Sequence, residues 1–178
     1  MAEQLIADHE ELDALGRSLL DAFVRADAAE VLAKLDLVWA RLAVHIRAEH
    51  LHLFPALLTA AEGGASRAAA GPPAGVVEET LSKLREDHNF FMRELAACVE
   101  ALRMPAADAS PMASEDLERV RLRVLAVFER LRAHNRLEEE EVYHWPRALL
   151  SGAEGDRLDA AVRRELGNMP PRFDGRRG

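Results

Sequence analysis

Four histidines and two glutamates recur in this 178-residue chain at spacings that suit metal coordination: His9, His45, Glu49, His88, His134 and Glu138. Two of the histidines are followed by a glutamate four residues on, as His45-x-x-x-Glu49 and His134-x-x-x-Glu138. On a helix that spacing puts both side chains on one face, one turn apart. Each histidine also lies inside an apolar stripe of alternating three- and four-residue steps. Examples are Leu5–His9–Leu12 and Leu84–His88–Phe91. A single histidine on such a face is ordinarily a hydrogen-bonded core residue. Four of them, accompanied by two acids, form a set. A carboxylate turned toward a core is costly unless something positive pairs with it. No Lys or Arg occurs in any of the four stripes, so a metal ion is the expected partner.

Register supports a common meeting point. His9 and His45 are 18 residues either side of Asp27, and His88 and His134 are 23 either side of Pro111. Antiparallel helices of equal rise would bring each pair to one level. The chain also repeats itself: Leu5-x-x-Asp8-His9 matches Leu84-x-x-Asp87-His88, and His45 through Glu49 to Phe54 matches His134 through Glu138 to Tyr143. Two hairpins each giving His, His and Glu supply more donors than a tetrahedral zinc site uses. They suit two octahedral ions sharing bridging carboxylates, with room for an oxo or hydroxo bridge and an exogenous ligand. The mixture of imidazole and carboxylate favours iron, with manganese second.

The elements that must carry these residues are helices. The chain has 32 Ala and 26 Leu against 12 Val, 2 Ile and 2 Thr, a helix-forming balance. Turns are expected at Ala26–Asp27–Ala28, with Asp27 an N-cap, and through Gly63–Gly64 to Gly75. A further loop is expected from Met104 to Ser114, which includes Pro105 and Pro111, with Ser114 as N-cap. Ser151–Gly152 is expected to end the fourth piece. The expectation is an all-α, up-down-up-down antiparallel four-helix bundle over residues 1–150. Residues 151–178 then form a short helix from about Asp156 to Leu166 and a frayed tail with Arg176–Arg177.

Composition removes other classes. A formal net charge of −8 argues against nucleic-acid binding, and no apolar run is long enough to span a membrane. The acidic start, Met1 to Asp13, does not have the pattern of a secretory signal, and a soluble cytoplasmic protein is expected. The one cysteine, Cys98, excludes an internal disulfide and multi-cysteine zinc modules and reads as an inert core thiol. His52 and Glu141 continue two stripes and are expected to line the mouth of the site, or else to add a ligand. By the same count Glu138 and Glu141 are the two members of the acidic run 138–141 that turn inward. His50 and His144 fall off the stripes and should face solvent. Asp8 and Asp87 either accept hydrogen bonds from imidazoles of neighbouring helices or are exposed acids. Trp39 and Trp145 read as packing residues at helix ends.

These motifs resemble the hemerythrin-like HHE cation-binding domains. The resemblance rests on Asp8–His9, His45 through Glu49 to Leu53–Phe54–Pro55, Asp87–His88, and His134 through Glu138 to Tyr143. It implies a four-helix bundle around a non-haem di-iron centre, with His9, His45, His88 and His134 as terminal ligands and Glu49 and Glu138 bridging. The oxygen carriers of that family have a second histidine one turn along the third helix, where this chain has Met92 or Leu84. They also space the fourth-helix pair by five, with Asp as the acid. Iron binding is thus a firmer expectation than reversible oxygen carriage. The function expected first is a di-iron protein that binds dioxygen, nitric oxide or peroxide for sensing, iron handling or protection. An enzyme that decomposes peroxide or reduces a small oxidant is the second reading, and a metal-free bundle the third. A ferritin-like carboxylate site, using Glu49-x-x-His52 and Glu141-x-x-His144, would need inward glutamates on the first and third helices, whose stripes have none.

Overall fold

A computed structural model of the chain describes residues 1–63, 71–103 and 114–173. The expected loop residues Gly64, Pro105 and Pro111 and the tail at Arg176–Arg177 lie outside them. All elements among the described residues are helical, as the Ala- and Leu-rich composition predicts. They are α1 (Ala2–Arg25), α2 (Ala28–Ala48), a π-helical turn (Glu49–Leu53), α3 (Phe54–Glu62), α4 (Ala74–Arg103) and α5 (Ser114–Glu140). After a 3-10 turn (Val142–His144) come α6 (Trp145–Leu149), α7 (Gly152–Leu166) and a last 3-10 turn (Pro171–Phe173). None of these helices is long and apolar enough to cross a membrane.

The long helices form a closed ring of contacts: α1 packs on α2, α2 on α4, α4 on α5, and α5 on α1. Asp27 starts α2 as expected, its carboxylate accepting from the backbone N–H groups of Ala29 and Glu30 at 3.0 Å each. Where α1 meets α5, Gly16 makes room: a Cβ there would stand 3.2 Å from the Phe128 ring.

Three expected boundaries move. α4 begins at Ala74, directly after Pro72–Pro73, so Ala74 and Gly75 are helical rather than part of the loop. The fourth long helix ends at Glu140, because Glu141 leaves the helical region at φ −125° and ψ −67°. Ser151 does not end that helix but begins α7, four residues earlier than expected. Its hydroxyl accepts from Glu154 N–H while the Glu154 carboxylate accepts from Ser151 N–H. α7 packs on α2 and the π turn, where Arg47 pairs with Glu165 and Arg41 donates to the Leu166 carbonyl at 2.9 Å. Trp39 lies in the middle of α2 rather than at an end.

The apolar core falls into two clusters. One contains Leu12, Leu42, Ile46, Phe91 and Leu131, and the other Leu5, Ala48, Leu84 and Val142. In α1 the break between them comes at His9, in α4 at His88, and across α5 and its end at His134 and Glu138. A buried polar layer therefore divides the core where the stripes change from apolar residues to histidine and glutamate.

Candidate metal centre

All six residues singled out by spacing meet in that layer, and all are buried; Glu49 and Glu138 have 0 % relative exposure. The expected levels hold. His9 Nε2 lies 3.1 Å from His45 Nε2, and His88 Nε2 lies 2.9 Å from His134 Nε2. Each glutamate reaches both pairs. Glu49 places Oε1 3.6 Å from His45 Nε2 and Oε2 3.3 Å from His88 Nε2. Glu138 places Oε2 3.4 Å from His9 Nε2 and Oε1 3.1 Å from His134 Nε2. Two overlapping groups result, Glu49–His88–His134–Glu138 and His9–His45–Glu138, each close enough to hold a metal ion.

The outer ring nitrogens are held as well. His45 Nδ1 donates to Asp8 at 2.9 Å, and His134 Nδ1 to Asp87 at 3.1 Å. The open choice for the two aspartates is thereby decided: each accepts from an imidazole of the neighbouring helix. Arg41 pairs with Asp8, and Arg130 Nε donates to Asp87 at 2.7 Å. His9 Nδ1 donates to Glu139 at 2.7 Å. An imidazole whose Nδ1–H is used in this way presents a lone pair at Nε2. His9 and His45 therefore aim two lone pairs at each other, an arrangement that a cation or a proton between them stabilises. Donors about 2.1 Å from one ion and at right angles to each other stand about 3 Å apart, close to the spacings found here. Glu49 Oε2 and Glu138 Oε1 are buried with no hydrogen-bond partner among the described residues. No Lys or Arg is paired with either glutamate among those residues. The donor set thus fits one or more metal ions.

Without a metal, protons balance the charge. Burial opposes protonation of His134, yet the Glu138 carboxylate and the bond to Asp87 outweigh it and lift the imidazole to about 9. His45 is raised too, burial being outweighed by Glu49. Burial would raise Glu138, but the charge of the adjacent His134 holds it well below the usual carboxylate range. Glu49 goes the other way, raised by burial and by the charge of Glu138. His88 is pushed well below the ordinary imidazole value by burial and by His134.

Several neighbouring expectations are corrected. His50 does not face solvent: half-buried, it bonds His88 Nδ1 through Nε2 at 2.9 Å. One step past Glu49 leaves it on the flank that meets His88 of α4 rather than on the opposite side. His52 does not line the site's mouth. It turns to Glu165 of α7, 4.0 Å away. The cause is the π turn. Pro55 has no N–H for the Leu51 carbonyl, and Phe54 N–H instead bonds Glu49, five residues back. The wider turn swings His52 outward and brings Leu53 and Phe54 into the core. Glu141 is exposed, since the helix has ended; the second acid of its run to engage the site is Glu139, through His9. His144 is exposed as expected. With His52, Glu141 and His144 all outside the layer, the Glu-x-x-His reading has no geometry to support it. Cys98 is buried, and burial pushes its thiol up to about 11, as an inert core residue requires.

Besides Glu139 and His50, spacing alone missed Tyr143. Tyr143 lies buried in the layer, with its hydroxyl 2.8 Å from Glu49 Oε1 and 3.2 Å from Glu138 Oε2. The repeat held the signal, because it set a tyrosine opposite Phe54. Compared with family models, with curated proteins and with solved structures, the chain matches none.

Proposed function

We propose that the ring of long helices is an antiparallel four-helix bundle of the hemerythrin-like kind, and that its polar layer holds two iron ions. His9 and His45 would bind one ion, His88 and His134 the other, with Glu49 and Glu138 bridging. The observation that carries the reading is that each glutamate sends its two oxygens to different histidine pairs. A structural polar cluster has no need of that arrangement, and it leaves Glu49 Oε2 and Glu138 Oε1 unsatisfied.

When bound, such a centre supplies redox-active positions for a small ligand: dioxygen, nitric oxide or peroxide. The chain's own residues do the rest. Asp8 and Asp87 fix the tautomer and ring direction of His45 and His134, keeping Nε2 as the donor. The apolar clusters on either side keep bulk water from the layer, which favours small uncharged ligands. Sensing, iron handling and protection against oxidants share this binding step.

The test is elemental analysis of protein purified without added metal, together with its visible spectrum. Iron near two per chain supports the reading, as does loss of that iron in His45→Ala/His134→Ala. Two irons retained in the double variant would refute the ligand assignment. Repeated turnover of peroxide by the reduced protein would move the assignment to an enzyme.

A further inference from the structure

The two halves of the polar layer are not equivalent, although the sequence repeat suggests that they should be. Tyr143 Oη lies 3.2 Å from His9 Nε2 and 3.4 Å from His45 Nε2, as well as 2.8 Å from Glu49 Oε1 and 3.2 Å from Glu138 Oε2. It therefore lies within 3.4 Å of every donor that faces the His9–His45 half, the spacing expected of donors that share one ion. In the other half the residue at the equivalent point of the repeat is Phe54, whose ring stacks on His88 with centroids 5.9 Å apart. A phenyl ring has no donor to offer. The two orphaned carboxylate oxygens, Glu49 Oε2 and Glu138 Oε1, both face that second half.

The geometry points to Tyr143 as a metal ligand, its phenolate oxygen coordinating the ion held by His9 and His45. This inference rests on the metal-centre reading above. Coordination exchanges the O–H bond for an O–metal bond and releases one proton to solvent, with no change of oxidation state. A hard anionic oxygen suits a ferric ion. The backbone break at Glu141 is what allows the approach, because the 3-10 turn that follows carries Tyr143 back over the end of α5. The consequence is division of labour: the His9–His45 half is closed by the protein, and the His88–His134 half keeps the positions open to an incoming ligand.

Tyr143 is the only tyrosine in the chain, so a phenolate signal has a single source. The experiment loads the full-length protein with ferrous salt, oxidises it in air, counts iron per chain, and records the visible and resonance Raman spectra. The expected result is bound iron with a phenolate-to-ferric charge-transfer band and resonance-enhanced phenolate ring modes. Tyr143→Phe should keep bound iron and lose both signals entirely. Iron bound to the unmutated protein without those signals overturns the tyrosine assignment and leaves the metal centre standing. No iron bound overturns both.

Discussion

Glu49 Oε2 lies 3.3 Å from His88 Nε2, fully buried, and no described group donates a hydrogen bond to it. An orphaned acceptor of this kind costs roughly 1–3 kcal/mol. Glu49→Gln keeps the shape, removes the charge and offers an N–H₂ group in place of one oxygen. Metal-free Glu49→Gln should therefore be as stable as the unmutated protein, or more stable by about 1 kcal/mol. The loaded proteins should rank the other way. Metal at 100 times its Kd adds about 2.7 kcal/mol to the protein that binds it, and the variant should lose most of that gain. Thermal unfolding with and without chelator measures both. A variant that is strongly destabilised without metal would show Glu49 to be a structural acid.

Asp8 and Asp87 hold the back of His45 and His134 at 2.9 and 3.1 Å. Replacing either by Asn retains size but removes the negative acceptor, so the imidazole is a weaker base and less firmly aimed. Asp8→Asn and Asp87→Asn should each weaken metal binding about 10- to 100-fold while leaving the helical content unchanged. Competition with a chelator of known affinity gives the number. Unchanged affinity in both variants would mean that the aspartates only pair with their arginines.

Much of this architecture could be read from the sequence, for a physical reason. Helices and the six polar positions announce themselves through one periodicity: the side chains that share a face recur every three or four residues, whether they are leucines or histidines. That signal fails where the helix is irregular. The π turn caused by Pro55 rotated His52 away to Glu165, and the break at Glu141 exposed a residue that a continuous helix would have buried. Tyr143 entered through that same break. Glu139 and His50 were missed for another reason: a stripe marks the centre line of a face, and both act from its flank, on His9 and His88.

Acidity should separate the metal-free from the loaded protein. His134 is lifted to about 9 in the folded chain and would return to about 6.5 on unfolding. A raised histidine stabilises the fold fully below the unfolded value, and its contribution fades as pH rises through the folded one. Metal-free protein should accordingly lose thermal stability between about pH 6.5 and 9, with His45 acting in the same direction. At the acid end the depressed Glu138 acts oppositely: its contribution is present above the ordinary carboxylate range and is lost as pH falls below it. At pH 7 metal must displace the His134 proton, so loading should release protons, read as a binding enthalpy that varies with the buffer's ionisation heat. A melting temperature flat from pH 6.5 to 9 without metal would contradict the charge balance described for this layer.

The two arginines behind the aspartates should not be equal. Arg41 has 12 % side-chain exposure and its partner Asp8 has 1 %, while Arg130 and Asp87 have 45 % and 10 %. Arg41 also donates to the Leu166 carbonyl at the end of α7, tying that helix to α2. Removing one partner of a buried pair leaves an uncompensated charge and costs about 3–5 kcal/mol, whereas an exposed pair is worth about 0–1 kcal/mol. Arg130 is held in part by its position 4.4 Å above the Phe90 ring, a contact that a methionine can partly replace. Arg41→Met should thus destabilise the protein by several kcal/mol, and Arg130→Met by about 1 kcal/mol. The double variant Asp8→Asn/Arg41→Met should recover part of the loss, because the buried carboxylate that lacked its guanidinium is then gone. Denaturant unfolding of the four proteins decides it. Equal costs for the two arginines would mean that water reaches Asp8 as readily as Asp87.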